Sequence, residues 1–158
     1  MTLTDQMNVA AIAAAEVILE VYATPFAVEH KGDGSPVTEA DQRAEAVILK
    51  ALADTGVPVL GEESVAAGIV PDLSGRYFVV DPLDGTKEFL KRNGEFTVNI
   101  AYCEAGRPVR GVVLAPATGA IYWGGPEGAF AGMVRDGRIE DTRPLAVSSI
   151  RPIRGRCW

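Results

Sequence analysis

From position 96 to 102 the large apolar residues Phe96, Val98, Ile100 and Tyr102 are separated by Thr97, Asn99 and Ala101. A period of two marks a strand with one buried face. Glu104-Ala105-Gly106-Arg107 then predicts a turn, Val109–Leu114 a returning strand, Pro116–Gly119 a second turn and Ile121–Trp123 a third strand. Ala129–Val134, an Asp136-Gly137 turn and Leu145–Val147 extend this meander. The first half reads differently. Val9, Ile12, Ala13, Val17 and Val21 recur near helical spacing and predict a helix over 5–23, with Thr4 as its N-cap. Thr38, with Asp41 three residues on, marks the start of a second helix whose apolar stripe is Ala44, Val47, Ile48, Ala51 and Leu52; Gly56 and Pro58 end it. Pro58–Leu60 and Tyr77–Val80 are short strands, and Thr86–Lys91 is a short helix. Two helices followed by hairpin-linked strands predict an α+β fold, the helices packed on a mainly antiparallel sheet.

The length of 158 residues suits one domain. The longest unbroken apolar run, Val9–Ala15, is far short of the roughly 20 residues of a membrane span. Asp5, Glu16 and Glu20 argue against reading the first helix as a secretory leader. Cys103 and Cys157 cannot form a disulfide framework, which favours a reducing, cytoplasmic compartment, with peripheral membrane association left open. His30 is the only histidine, so a His-rich metal site or a Ser-His-Asp triad is all but excluded. The net charge of −6 is uneven: residues 131–158 carry an excess of three positive charges, and the rest of the chain an excess of nine negative ones. An acidic body argues against nucleic-acid binding and suits a collector of divalent cations.

That chemistry concentrates where elements break. Glu62 and Glu63 follow one short strand, Asp81 and Asp84 follow another, and Asp41 sits in the first turn of the second helix. Strands that end together at a sheet edge bring such carboxylates to one cleft, and an all-oxygen cluster selects Mg²⁺ or Mn²⁺ over Zn²⁺. Asp81 and Asp84 flank the carbonyl of Leu83, so two side chains and a carbonyl can share a cation. Pro82 stiffens the turn, and Gly85 admits a ligand close to the backbone. The free N–H groups of the helix beginning at Thr86 face the same place, which suits a phosphate. Taken singly, each feature has a plainer explanation. An Asp-x-x-Asp loop is usually a solvated turn, a Glu-Glu pair usually surface, and an aspartate near a helix start usually only that. Lys31, Asp33 and Lys87 read equally well as surface charges, and Arg151, Arg154 and Arg156 read most simply as a solvated tail.

Taken together, Gly61-Glu62-Glu63-Ser64 and Asp81-Pro82-Leu83-Asp84-Gly85-Thr86 resemble two signatures of the inositol monophosphatase superfamily of Mg²⁺-dependent, Li⁺-sensitive phosphatases. Lys87-Glu88-Phe89, continuing to Asn99-Ile100, is similar to the 3′(2′),5′-bisphosphate nucleotidase branch, as is Lys31–Thr38 with Asp41. The resemblance spans about residues 5–147. It implies the superfamily's N-terminal domain over 1–147, a divergent tail over 148–158, and an absent C-terminal α/β half. It implies that Glu62, Asp81, Asp84 and the Leu83 carbonyl bind two or three Mg²⁺ ions, or Mn²⁺. Gly85 and Thr86 would hold the phosphate, with Lys87 as a further contact. Asp41 and Thr86 would orient the attacking water, and Glu62 would hold a bound water as well as a metal. The implied substrate is a small phosphorylated nucleotide, 3′-phosphoadenosine 5′-phosphate, cleaved to AMP and phosphate as part of sulfate assimilation. The rivals are inositol monophosphatase or fructose-1,6-bisphosphatase activity, or an inactive metal-binding remnant. Family members carry a later Trp-Asp motif whose aspartate is a further ligand; here Trp123 precedes Gly124 and Trp158 stands last. Impaired turnover, exposed apolar surface and self-association are therefore expected.

Overall fold

A computed structural model describes residues 1–25 and 36–147. The readings of His30, Lys31, Asp33 and Ser35, and of the tail with Arg151, Arg154, Arg156, Cys157 and Trp158, lie outside the described residues. In chain order the elements are α1 (Leu3–Tyr22), α2 (Pro36–Leu52), a 3₁₀ turn (Ala53–Thr55), β1 (Val59–Leu60), α3 (Glu62–Ala66), β2 (Arg76–Asp84), α4 (Thr86–Lys91), β3 (Thr97–Glu104), β4 (Arg107–Ala115), β5 (Ala120–Gly125), β6 (Gly128–Arg135) and β7 (Arg138–Leu145). The strands form one seven-stranded sheet in sequential order. Among the described residues only β1 and β2 pair in parallel, with Val59 beside Phe78 and Leu60 beside Val79; the other pairs are antiparallel. Helices on a mainly antiparallel sheet are the predicted α+β architecture.

Both predicted helices exist, but each begins earlier than expected. The N-cap of α1 is Thr2, not Thr4. The Thr2 hydroxyl accepts from the Asp5 backbone N–H at 3.1 Å, and Asp5 in turn accepts from the Thr2 N–H at 2.8 Å. This reciprocal box satisfies two of the donors that a helix start leaves open. The Thr4 hydroxyl instead accepts from Arg110 at 3.0 Å. Thr38 does not start α2, because Pro36 is already helical; proline suits a first turn, where its missing N–H would have no partner. Asp41 therefore lies further into the helix than the spacing of Thr38 and Asp41 predicts.

The core lies between the helix pair and one face of the sheet. Ala10, Ala11, Ala14 and Ala15 of α1 and Ala40 and Ala44 of α2 are buried and small, which allows the two axes to approach closely. Ile12, Ile18, Ile48 and Leu52 complete that layer against Phe78, Val80, Val98, Ile100, Val112, Leu114 and Ile121. Val9, placed on the buried stripe by its spacing, is 49% exposed, and Met7 takes that role. Tyr22 at the end of α1 meets Phe89 of α4 and Phe96, with ring centroids 5.0 to 5.3 Å apart. Arg92 donates to the Tyr22 carbonyl at 2.7 Å and also to the Thr24 carbonyl. These contacts fasten α4 to the end of α1.

The outer face of the sheet is apolar and, among the described residues, uncovered. Val79, Val113, Tyr122 and Leu145 are each more than a third exposed there. They border a groove of about 460 Å³ that also contains Trp123 and Phe130, stacked at 5.8 Å. Among the described residues, apolar side chains are thus exposed on this face. The last strand runs over Arg138–Leu145 rather than Leu145–Val147. Its side chains are almost all exposed, so hydropathy gives no signal for it. Among the described residues, no helix is long and apolar enough to cross a membrane.

Candidate functional site

The parallel pairing of β1 with β2 builds the site. Because Leu60 lies beside Val79, the chain leaves β1 at Gly61-Glu62 next to Val80-Asp81. Two acidic segments far apart in sequence therefore meet at the C-terminal ends of neighbouring strands. The sequence reads Asp81–Asp84 as a turn after a strand; the segment is instead part of β2. Asp81 pairs with Asn99 and Asp84 with Thr97, and the register slips between them. The one extra residue on β2 forms a bulge, a device that re-aims side chains at strand ends. Pro82 and Leu83 are buried in it, while Asp81 and Asp84 are solvent-accessible. Asn99, to which the sequence assigns no role, donates from Nδ2 to Asp84 at 3.2 Å, and its Oδ1 accepts from the Thr97 hydroxyl at 3.1 Å. The visible signal is a pair of polar residues on the outward positions of an apolar strand.

Two adjoining clefts share Glu62. One, of about 220 Å³, is lined by Val37, Thr38, Asp41, Gln42, Glu62, Leu83 and Thr86. The other, of about 380 Å³, has Glu62, Val65, Asp81 and Pro82 in its walls. No lysine or arginine is among the described residues lining either cleft. Lys87 is exposed and lines neither. Gly85 is the N-cap of α4 at φ 93°. A Cβ there would lie 2.9 Å from the Glu95 carbonyl oxygen and 3.2 Å from the Phe96 Cα, so the position requires glycine on conformation and on space.

The electrostatics are those of crowded carboxylates. Burial, then the negative charge of Glu62, a hydrogen bond with Glu62 and the charges of Glu45 and Asp81, pushes Asp41 up to about 7. In its protonated form, which that hydrogen bond favours, the Asp41 carboxyl would donate to Glu62. Asp81 is also raised, first by partial burial and then by the charge of Asp84; the Leu83 N–H donates to it and opposes the rise, while Glu62 adds to it. Among the described contacts, no hydrogen bond joins Thr86 to Asp41, although both line the same cleft. Among the described residues, no three histidine, cysteine, aspartate or glutamate side chains are grouped closely enough to hold a metal ion.

The consequence for stability has a definite sign. A carboxyl whose pKa is higher in the folded state than in the unfolded chain stabilises the fold at low pH. That contribution is lost as pH rises through the folded value. Metal-free protein is therefore expected to melt at a lower temperature at pH 8 than at pH 5. Asp41 is half-buried, so solvent screening limits the loss to about 1–2 kcal/mol, or a few degrees. A divalent cation should abolish the decline. A melting temperature in chelator that is flat or rising between those pH values would contradict it.

Comparison with known proteins follows the same line. Residues 2–151 match the profile of the Inositol monophosphatase family. The chain is 46% identical over 141 residues to 3′(2′),5′-bisphosphate nucleotidase CysQ of Salmonella typhimurium, covering 85% of this chain and 57% of that one. It is 43% identical over 150 residues to the Escherichia coli K12 protein of the same name, covering 90% and 61%. The crystal structure of CysQ from Bacteroides thetaiotaomicron, described as a bacterial member of the inositol monophosphatase family, superposes with a TM-score of 0.79 at 35% identity, covering 94% of this chain and 59% of that one. The chain thus spans about three fifths of the length of these relatives.

Proposed function

Because the chain belongs to the inositol monophosphatase family, we propose that it forms the cation- and phosphate-binding part of a 3′(2′),5′-bisphosphate nucleotidase. The reaction would be hydrolysis of 3′-phosphoadenosine 5′-phosphate to AMP and phosphate. The observation that carries this reading is the pairing of β1 with β2, which brings Glu62 toward Asp81, with Asp41 of α2 and Thr86 of α4 lining the same cleft as Glu62. Similarity to the CysQ proteins favours a nucleotide over an inositol phosphate or a sugar bisphosphate.

The donor set fits a hard divalent cation. Every candidate ligand is oxygen, and neighbouring carboxylates raise the proton affinity of Asp41 and Asp81 with no lysine or arginine among the described residues of the cleft walls. Glu62, Asp81, Asp84 and the Leu83 carbonyl would hold Mg²⁺, in the two or three ions the family resemblance implies. Bound there, the ions would supply charge neutralisation for the phosphoryl group and acidify a bound water. The chain's own groups do the positioning. The N–H groups at the start of α4, reached over Gly85 and Thr86, would hold the phosphate oxygens. Thr86 and Asp41, on one cleft, would orient the water whose oxygen bonds to phosphorus as the bond to the ribose 3′-oxygen breaks. The attacking water gives up one proton to solvent, and the departing oxygen takes one from it, so the products are the alcohol and phosphate. Asn99 keeps Asp84 in place. Lys87, exposed in the first turn of α4 and lining neither cleft, would be a phosphate contact only in another rotamer.

The deciding experiment is phosphate release from 3′-phosphoadenosine 5′-phosphate with Mg²⁺, run beside inositol monophosphate and fructose 1,6-bisphosphate, with Asp84→Asn as blank. Turnover of the nucleotide above the blank supports the reading. Equal or greater turnover of either alternative removes the nucleotide assignment. No turnover in a folded, Mg²⁺-responsive chain would favour the metal-binding remnant. Thr86→Ala should leave Mg²⁺-dependent stabilisation intact and lower turnover by about 10²-fold, the usual scale for losing one positioned proton-handling group. Normal turnover would remove Thr86 from the water-orienting role. The same reading includes cytoplasmic placement and a part in sulfate assimilation. It also includes self-association through the open apolar face of the sheet, which a concentration-independent monomer in sedimentation equilibrium would eliminate.

A further inference from the structure

Glu45 is an acidic residue with 1% exposure, deep in the α2 face that packs on the sheet. Burying a carboxyl is costly unless its surroundings are built for it. What is built here is a notch. A Cβ placed on Gly61 would lie 2.2 Å from Glu45 Oε1 and 3.0 Å from its Cδ, so the carboxyl lies against the bare Cα of Gly61. Gly61 is buried, and it is not among the residues with positive φ. Its backbone conformation is therefore open to any residue. Space for Glu45 is what requires glycine there.

Gly61 is the single residue between β1 and α3, and its carbonyl accepts from the Val65 N–H at 3.1 Å to close the first turn of α3. Whatever fixes Gly61 fixes the backbone from which Glu62 projects. Glu45 lies four residues after Asp41, on the same side of α2. One helix thus carries both Asp41, which bonds to Glu62, and the carboxyl seated on the residue before Glu62. We propose that Glu45 is a positioning residue that locks the Gly61 hinge and so sets Glu62 against Asp41, and that Gly61 is glycine in order to receive it. The functional half of this inference rests on the metal-site reading above. The seating itself rests on geometry alone.

The test uses the full chain with Glu45→Gln, Glu45→Ala, Gly61→Ala and the Glu45→Ala/Gly61→Ala double variant. Mg²⁺ affinity is read by calorimetry and stability by urea unfolding. Glu45→Gln keeps the shape and should hold Mg²⁺ affinity within about threefold. Glu45→Ala and Gly61→Ala should each weaken it at least tenfold, the usual scale for losing a residue that orients a ligand. The double variant should be no weaker than Glu45→Ala alone, because the methyl added at position 61 then has room; this non-additivity is the signature of direct contact. Gly61→Ala with unaltered affinity, additive losses in the double variant, or Glu45→Gln as weak as Glu45→Ala would overturn the proposal. If the unsubstituted chain gives no Mg²⁺ heat, the metal reading fails instead. The urea cycle then decides the seating: coupling between the two substitutions supports it, and additivity overturns it.

Discussion

Asp84→Asn and Asp81→Asn are expected to remove the stabilisation that Mg²⁺ would confer at the proposed site, while leaving the metal-free protein as stable as before or slightly more so. The two halves of this expectation have different causes. A cation that binds only the folded chain stabilises it by mass action, about 2.7 kcal/mol at a concentration one hundred times its dissociation constant. Replacing one carboxylate ligand by an amide removes a full negative charge and weakens the site at least 10–100-fold, which takes most of that gain away. Without metal, the carboxylates repel: Asp84 raises Asp81, and Asp81 raises Asp41. Neutralising one partner relieves that repulsion. In Asp84→Asn the new amide oxygen can still accept from Asn99, so the local fold should persist. Melting curves in chelator and in saturating Mg²⁺ read both effects. A Mg²⁺ shift unchanged in both variants would dismantle the metal assignment.

Gly85→Ala is expected to be among the most damaging single substitutions in the chain. Its φ of 93° is disfavoured for any residue with a side chain, and the added methyl would meet the Glu95 carbonyl oxygen at 2.9 Å and the Phe96 Cα at 3.2 Å. Those are backbone atoms, so nothing flexible can yield. Conformational cost and collision together suggest about 2–4 kcal/mol, or roughly 5–15 °C in melting temperature. The relief route is a shift of α4 away from β3, which would carry Thr86 with it. A misplacement of about 1 Å can cost on the order of 10²-fold in rate, so any turnover should fall well beyond the stability loss. Melting and turnover measured on one preparation check this. A variant with native melting and native rate would show that α4 is not held where it is described.

The sheet was legible where one face is buried and the other is not. Phe96 to Tyr102 shows this alternation, and β3 follows it with Val98, Ile100 and Tyr102 inside. β7 was misplaced because neither of its faces is buried, so Arg138 to Pro144 carries no hydropathy contrast. The helix starts were missed for a different reason. Thr4 and Thr38 are both plausible caps, but Thr2 with Asp5 and the early Pro36 lie upstream of the apolar periodicity used to locate them. The site was recognisable because its acids cluster in two short motifs. How they meet was not, because the β1–β2 pairing joins Leu60 to Val79 without any hairpin to announce it. Glu45 was invisible for a physical reason: a glutamate on a helix normally reads as a solvated charge, and only the notch at Gly61 makes it a buried one.

The one parallel pairing also bears on how the molecule assembles. From β2 to β7 each strand neighbours its predecessor, so that part of the sheet can zip up from contacts close in sequence. β1 must instead find β2 across the intervening α3 segment, with only two residues to pair. A chain with a complete meander but an undocked β1 would look folded to most probes and yet leave Glu62 far from Asp81. Refolding followed by amide exchange should therefore show protection at Ala101 and Val113 before Leu60, with the capacity to bind a cation appearing only at the later step.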